Sequence, residues 1–352
     1  MFLLTSSSAF VQTIPRVRIV GWVVDASNGQ PLHFANVFLS GTTIGAATDE
    51  EGRFSIVNVP LGTYELVVSM MGYDLQVMKV EWTEPVDLEF HFQLKPKTLK
   101  APTLEVTAPR PKAWEKHLKS FHRMFFGSTE NADLCEIVNP EVLDFTEDKP
   151  SDTFTAVASG PLEIVNRGLG YRIQFYLEEF VRRGDHLHSS GKSIFEPLES
   201  QHPNEENEWR KNRHKAFYGS LRHFFIALLS NRWEEEGFCV KNDFRRYRWD
   251  ANIYLSNIST DNLLQPCQRE FEKKLFFADF LRVIYTKEEF PKEDRWGNKL
   301  FQQTSWLRMN TSMPAIINSL GLVHNSGAVT QYGYWAKERF AEELPLDYIP
   351  EE

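Results

Sequence analysis

The most constraining feature of this sequence is the stretch GAATDEEGRFSIVNVPLGTYELVVSMMGY, Gly45 to Tyr73. Asp49-Glu50-Glu51-Gly52 is typical of a hairpin loop and Pro60-Leu61-Gly62 of a second turn. Between Tyr64 and Met71, inward and outward side chains alternate with the period of two that predicts a strand. Together with neighbouring short runs, these signals predict an antiparallel β-sandwich over residues 17–94. The other predicted strands are Val17 to Val24, Phe34 to Leu39, Leu75 to Val80 and Leu88 to Leu94.

Individual residues of this module form a recognisable set. They are Gly21, Asp25, the Gly29-Gln30-Pro31-Leu32 turn, Ala35-Asn36-Val37, Thr48-Asp49, Gly52-Arg53-Phe54, Gly62, Tyr64 and Gly72-Tyr73. In these positions the module resembles the carboxypeptidase regulatory-like domain, a family with the transthyretin-like (prealbumin-like) β-sandwich fold. The resemblance implies an accessory domain without catalysis of its own, of the kind appended to peptidases, surface proteins and TonB-dependent outer-membrane receptors.

The remaining chain differs in character. Residues 95–112 contain several prolines and predict a stiff, extended linker. Residues 113–352 mix helical and strand patterns without regular alternation, which predicts an α+β domain of unknown function and hence an α+β multidomain chain. The predicted helices are Ala113 to Phe126, Glu208 to Ser230 and a shorter one at Gln265 to Lys274, and Ser189 to Glu208 is predicted to be a polar loop.

Four segments of the α+β region carry a second resemblance. They are WEKHLKSFHRMFFGSTENADLCEIVNPEVLDF, PLEIVNRGLGYRIQFYLEEF, RKNRHKAFYGSLRHFFIALL and QYGYWAKERFAEELPLDYIP. In these segments the chain is similar to an uncharacterised group of Gram-negative envelope proteins, in which the same sandwich precedes the same region. This resemblance implies a cell-envelope location, periplasmic or associated with the outer membrane. Residues 1–16 fit either the last part of a secretory signal or a frayed terminus.

Charge and composition exclude some classes of partner. The formal net charge of −9 and the pI of about 5.7 disfavour a nucleic-acid or anionic-membrane partner. Asn242 to Trp249 interleaves basic and aromatic residues, which we interpret as a solvated strand rather than a nucleic-acid site. No apolar run reaches 18 residues, so no transmembrane helix is expected. Cys135, Cys239 and Cys267 lack metal-binding spacing, and their disulfide status stays open, as does the oligomeric state.

Metal and cofactor motifs are weak, and we predict no metal, cofactor or catalytic residue. His202 and Glu205 have the HxxE spacing of zinc carboxypeptidases, with His324 as a distant third candidate, but the pair falls in a polar segment beside a proline. Ser190 to Ser193 echoes a phosphate-binding loop without its first glycine. Asp49 and Glu51 are more simply turn formers than calcium ligands.

The richest polar cluster is RKNRHKAFYGSLRHFF, Arg210 to Phe225. The candidate ligand-binding residues in it are Arg213, Tyr218, Arg222 and His223, because these side chains suit anion binding or proton transfer. The structural alternative is a basic amphipathic helix whose cations pair with nearby carboxylates. Our first hypothesis is a non-enzymatic envelope protein with an accessory sandwich and an α+β region that binds a protein or glycan partner. The alternative is an enzyme of unknown reaction with its site in the Arg213 to His223 region.

Overall fold

The computed structural model describes residues 16–82, 84–97, 112–243, 255–257, 263–267, 269, 272–288, 303–310, 314–324 and 326–350. The signal-like N-terminus, most of the linker and most of the segment Asn242 to Trp249 lie outside these residues. The chain divides into two compact units. The first contains the described residues up to Leu39 and those of Ile44–Lys100, and the second contains Ser40–Thr43 and the described residues of Ala101–Glu352.

The first unit is a β-sandwich, as the alternating pattern predicts. One sheet has the strand order β4-β1-β7 and the other β3-β2-β5-β6. Most pairs are antiparallel, while β1 and β7 run parallel. The strands are β1 (Arg16–Asp25), β2 (Asn36–Leu39), β3 (Gly45–Ala47), β4 (Arg53–Pro60), β5 (Gly62–Ser69), β6 (Gln76–Trp82) and β7 (Leu88–Leu94).

Alternation of buried and exposed side chains sets the core of the sandwich. Along β1, Val17, Ile19 and Val23 are buried, while Arg18, Val20 and Trp22, which alternate with them, are more exposed. The hairpin loop before β4 forms as the sequence predicts, because the Asp49 carboxylate accepts the Arg53 N–H at 2.7 Å. This loop aspartate therefore acts as a turn former.

The second unit mixes helices with several sheets, which confirms the α+β class. Its helices are α1 (Lys112–Phe126), α2 (Pro203–Phe217) and α3 (Leu221–Leu229). Its first sheet comprises β8 (Cys135–Ile137), β9 (Leu143–Asp148), β10 (Thr153–Ala158), β11 (Leu162–Asn166), β12 (Tyr171–Arg183) and β13 (His186–Pro197). The remaining strands are β14 (Phe238–Asp243), β15 (Leu255–Asn257), β16 (Leu264–Pro266), β17 (Lys273–Leu275), β18 (Phe280–Tyr285), β19 (Gln303–Met309), β20 (Ala315–Ile317) and β21 (Val329–Gly333).

Two apolar clusters organise this unit. In the first, α1 packs Phe121, Phe125 and Phe126 against the sheet ordered β8-β11-β12-β10-β9, with β13 paired to β12. In the second, α3 packs Phe224 and Phe225 against the sheet ordered β15-β14-β18-β19-β21. A smaller sheet has the order β16-β17-β20. Helix α1 is therefore the amphipathic helix that the sequence predicts.

The prediction of one long helix from Glu208 to Ser230 is wrong. The chain leaves the helix at Tyr218 and starts a new one at Leu221, so α2 and α3 are separate. Gly219 adopts a φ of +85°, and the Ser220 hydroxyl accepts the His223 N–H at 3.1 Å as the N-cap of α3. The apolar pattern continues through this break because α2 and α3 each bury an apolar face.

Two further local predictions are also corrected. The polar stretch Ser189 to Glu208 is not a loop throughout, since it contains the end of β13 and the start of α2. The predicted helix at Gln265 to Lys274 is replaced by parts of β16 and β17, which pair with each other. Among the residues described, no helix has the length and apolar character needed to span a membrane.

Candidate functional site

Helix α2 is fastened to the turn between β11 and β12 by its polar side chains. The Trp209 indole N–H donates to one carbonyl, the Asn212 amide to the next, and the Arg213 guanidinium to the two after that. The acceptors and distances are Arg167 at 2.8 Å, Gly168 at 2.9 Å, Leu169 at 2.7 Å and Gly170 at 3.1 Å. Four successive carbonyls thus fix the helix in place, which accounts for much of the polar composition of this segment.

Gly170 allows the helix to approach this turn. Its φ is +70°, and a Cβ at this position would lie 2.3 Å from Trp209 Cδ2. The indole of Trp209 is buried over the glycine, with 9% of the residue exposed. Any larger residue at position 170 would have to displace Trp209, and with it the part of α2 where the candidate site begins.

Arg222 anchors the C-terminal segment from Pro345 to Ile349. Its guanidinium donates to the carbonyl oxygens of Leu320 at 3.1 Å, Pro345 at 2.9 Å and Leu346 at 2.5 Å. Desolvation lowers the pKa of Arg222 to about 10, although the nearby Asp347 charge acts in the opposite direction. This predicted ligand-binding residue is therefore a structural anchor that holds the segment carrying Asp347 and Tyr348.

The side chains of Asp347 and Tyr348 are positioned by different contacts. The Asp347 carboxylate accepts the Thr43 N–H at 2.9 Å and also the Thr43 hydroxyl, within the second unit. The Tyr348 ring packs against Phe217 at the end of α2, with 6.1 Å between ring centroids. One face of α2 and the C-terminal segment thereby form opposite walls of a depression.

We call this depression the α2 groove, and it consists of two adjoining pockets of about 340 and 300 Å³ that share Arg210 and Tyr348. The residues that define it are Asn207, Arg210, Lys211, Arg213, His214, Pro345, Asp347 and Tyr348. Asn207, Arg210, Lys211 and His214 have the spacing i, i+3, i+4, i+7 and so occupy one stripe of the helix. Each pocket is at the lower end of the range of about 300–1,000 Å³ that is usual for small-ligand sites.

Contacts within the α2 groove orient its basic side chains. Arg210 donates to the Asn207 amide oxygen at 2.7 Å, one turn earlier on the helix. The Arg213 guanidinium lies 4.2 Å from the ring centroid of Tyr171, a buried residue that also lines the larger pocket. The groove thus presents positive charge from side chains that are oriented by these contacts on α2.

Tyr218 and His223 are not among the residues that line the two pockets of the α2 groove. Gly219 N–H donates to His223 Nδ1 at 3.1 Å, and His223 Nε2 lies 3.5 Å from the Glu236 carboxylate. Burial lowers the pKa of His223, which is 3% exposed, so the neutral ring with its proton on Nε2 is favoured. The Tyr218 ring packs between His214 and His223, at centroid distances of 4.3 and 5.1 Å.

The four predicted ligand-binding residues are therefore not brought into one cavity. Arg213 lines the α2 groove and Arg222 anchors its far wall. Tyr218 and His223 instead pack against each other at the break between α2 and α3. Sequence reasoning missed Arg210 and Tyr348, the two residues that both pockets share. The signal for Arg210 was the polar stripe at helical spacing on α2, while Tyr348 had no local signal in the short proline-broken tail.

The zinc and phosphate motifs are dispersed over unrelated elements. His202 precedes α2 as its N-cap residue, and the Glu205 carboxylate accepts the Gln201 N–H at 2.8 Å. His324 instead contacts the buried Glu272 carboxylate at 2.8 Å. Ser190 to Ser193 lies within strand β13, and the structure describes Cys135, Cys239 and Cys267 as free thiols. Within the described ranges, no group of three or more His, Cys, Asp or Glu side chains could hold a metal ion.

Comparison with known proteins identifies the N-terminal module. Residues 19–106 match the model of the CarboxypepD_reg-like domain, in agreement with the turn residues of the sandwich. The chain is also 30% identical over 95 residues to TonB-dependent receptor P39 of Formosa agariphila. That alignment covers 27% of this chain and 9% of the receptor, so the chain spans a small part of this relative.

Some solved structures resemble parts of the chain at low similarity. A DUF3823 family protein from Parabacteroides merdae is 12% identical, with 51% of this chain and 81% of that chain covered and a TM-score of 0.19. The group B streptococcus pilus 2b backbone protein is 18% identical, with 23% and 42% covered and a TM-score of 0.21. Similarity at this level carries no information on function.

Proposed function

We propose that this chain is a non-enzymatic cell-envelope protein whose second unit binds a glycan in the α2 groove, with the β-sandwich as an accessory module. The observation that carries the proposal is the groove itself. Its walls combine amide, guanidinium, carboxylate and phenol groups, which suit the many hydroxyl groups of a sugar. The Tyr348 ring adds an apolar surface of the kind that packs against the C–H face of a sugar ring.

The location rests on the N-terminal module. The likeness of the chain to a TonB-dependent receptor supports an envelope protein, because such receptors belong to the outer membrane. Fractionation of cells that express the full-length gene tests this part of the proposal. We expect the protein in the envelope fraction, and recovery in the cytosol alone would contradict it.

The enzyme alternative is less well supported by the geometry. It places a site of unknown reaction in the Arg213 to His223 region, but the buried His223 ring is engaged by Gly219 N–H and faces Glu236. A ring that accepts a backbone N–H at Nδ1 has that nitrogen occupied, so it is poorly placed to act as a base on a groove ligand. Binding without turnover is therefore the function that the groove supports best.

Glycan binding is tested with Tyr348 variants and a matched control. Tyr348→Phe keeps the packing on Phe217 and removes the hydroxyl, and Tyr348→Ala removes both. Tyr332, on β21 and outside the groove, provides the control variant Tyr332→Ala. On a glycan array followed by calorimetry, we expect Tyr348→Ala to weaken binding about tenfold or more, as for a central interface aromatic. Equal affinity of Tyr348→Ala and Tyr332→Ala would refute the assignment of the site.

A further inference from the structure

Tyr171 is a buried tyrosine in the wall of the larger pocket of the α2 groove. Although 4% of the residue is exposed, it belongs to the pocket lining. It is the first residue of β12, where it pairs with Asn166 of β11 on one side and with Pro197 of β13 on the other. The side chain therefore reaches the pocket from a backbone that is paired on both sides, which favours a defined position.

The ring of Tyr171 is held by two neighbours. The Arg213 guanidinium lies 4.2 Å from its centroid, and the Phe195 ring meets it at an angle of 85°, with 5.7 Å between the ring centroids. Arg213 is itself bound by the carbonyls of Leu169 and Gly170. The orientation of the phenol is thus set by protein contacts before a ligand binds, which lowers the entropic cost of binding.

The hydroxyl of Tyr171 forms no hydrogen bond with any of the described residues. Burial raises the pKa of Tyr171 to about 12, while Arg213 acts in the opposite direction and Asp347 and Tyr348 raise it further. These three neighbours all line the larger pocket, which places the hydroxyl on the pocket side of the ring. At neutral pH the hydroxyl is therefore a protonated donor that the described protein groups leave unused.

An unused donor at this position calls for a partner from outside the protein. Removing a hydroxyl from water costs free energy unless a hydrogen bond replaces the one that is lost. Buried polar groups of native proteins nearly always have such a partner, so an exception in a pocket wall indicates a ligand group. A side chain that lowers stability in the free protein is also typical of a binding site.

Asp347 supplies acceptors in the same pocket. Its carboxylate accepts the Thr43 N–H and the Thr43 hydroxyl. A carboxylate has about four acceptor positions, so about two remain for a ligand. A donor from Tyr171 and acceptors from Asp347 together match hydroxyl groups, which both accept and donate. A methyl ether only accepts, and a deoxy position does neither.

We infer that Tyr171 determines the specificity of the α2 groove: its hydroxyl donates a hydrogen bond to an unsubstituted hydroxyl of the bound glycan, and Asp347 accepts one from the same sugar residue. This inference rests on the proposed function, since it names the ligand group that is recognised at the same site. The ligand class is a glycan whose sugar residue in the larger pocket has free hydroxyls, neither methylated nor removed.

Calorimetry with paired ligands tests the inference. The ligands are oligomers of glucose, galactose, mannose and xylose, each with its monodeoxy and mono-O-methyl derivatives. We expect at least one oligomer to bind the wild-type protein, and one of its monodeoxy derivatives to bind about tenfold or more weakly. Tyr171→Phe should weaken the parent oligomer to the affinity of that derivative and should leave the derivative unchanged. The variant and the derivative each remove one partner of the same hydrogen bond.

Tyr285→Phe is the matched control. Tyr285 is the last residue of β18, is likewise buried and is not among the residues that line the groove. This variant should keep both the affinity for the parent oligomer and the difference between parent and derivative. Without ligand, the urea midpoint of Tyr171→Phe should equal or exceed that of the wild-type protein, because the hydroxyl that it removes has no partner among the described residues.

Results that contradict the inference differ from those that contradict glycan binding. Unchanged affinity in Tyr171→Phe, together with a loss in Tyr348→Ala, would overturn the inference and leave glycan binding in place. Equal weakening of parent and derivative by Tyr171→Phe would assign recognition of the hydroxyl to another residue and would also overturn it. A clear decrease of the urea midpoint would show that the hydroxyl is bonded within the free protein, against the inference. Absence of binding of every oligomer to the wild-type protein would contradict both the inference and the proposed function.

Discussion

Replacement of Gly170 by alanine tests whether the α2 groove depends on the seating of α2 on the β11–β12 turn. Gly170 immediately precedes β12, and Trp209 packs directly over it. Gly184 immediately follows the same strand and also has a positive φ, +54°, but a Cβ there would meet nothing within 4 Å. Both substitutions therefore replace glycine by alanine at a positive φ, at opposite ends of the same strand. They differ in that only position 170 contacts Trp209.

The expected costs follow from these two environments. An L-residue in the left-handed region costs roughly 1–2 kcal/mol at either position. At 170 the added Cβ would also lie 2.3 Å from Trp209 Cδ2, and overpacking of this kind costs about 1–3 kcal/mol. We therefore expect Gly170→Ala to lower the free energy of unfolding by about 2–5 kcal/mol and Gly184→Ala by about 1–2 kcal/mol.

Urea unfolding followed by circular dichroism measures the two differences, and hydrogen exchange of α2 locates them. Gly170→Ala should accelerate hydrogen exchange along α2 and weaken glycan binding in the binding assay. Gly184→Ala should change neither the exchange of α2 nor the affinity for the glycan. If the two variants lose the same stability to within about 0.5 kcal/mol, the turn does not seat the helix as we describe.

Three further perturbations address the pH dependence, the groove wall and a buried thiol. Burial lowers the pKa of His223 to about 4 from about 6.5 when unfolded, so the unfolded state binds the proton more tightly. Stability present above pH 6.5 is therefore lost as the pH falls toward 4, by about 3 kcal/mol, and urea titrations should show a flatter profile for His223→Gln. Arg222→Lys offers one ammonium to three carbonyls, so hydrogen exchange at Leu346 should accelerate about tenfold or more, and unchanged protection would contradict the anchor. Burial raises the pKa of the Cys135 thiol to about 12, so iodoacetamide at pH 8 should label Cys135 only after unfolding, as peptide mass spectrometry would show.

The β-sandwich was predictable because its determinants are local. Period-two alternation and hairpin turn chemistry specify strands within a few residues, and the Asp49 turn forms as that chemistry predicts. Helix α1 was predictable for the same reason, since its phenylalanine stripe is periodic. The predicted helix at Gln265 to Lys274 failed because the residues of β16 and β17 carry no strand pattern of their own, and their structure comes from pairing with each other and with β20.

The α2 groove was only half predictable, because its walls are distant in sequence. The cluster Arg210 to Phe225 drew attention to polar side chains, but sequence alone does not separate those that face a ligand from those that bind the protein's own carbonyls. Arg213 and Arg222 both donate hydrogen bonds to backbone oxygens. Arg213 also lines the groove, whereas Arg222 holds the segment that carries Tyr348. The distinction depends on the segment Pro345 to Ile349, which lies more than a hundred residues away in sequence. The position of this segment decides which face of α2 becomes a wall of the groove. A ligand-binding assay on variants of Arg210 and Tyr348, compared with variants of Tyr218 and His223, therefore tests which of the two places is the ligand site.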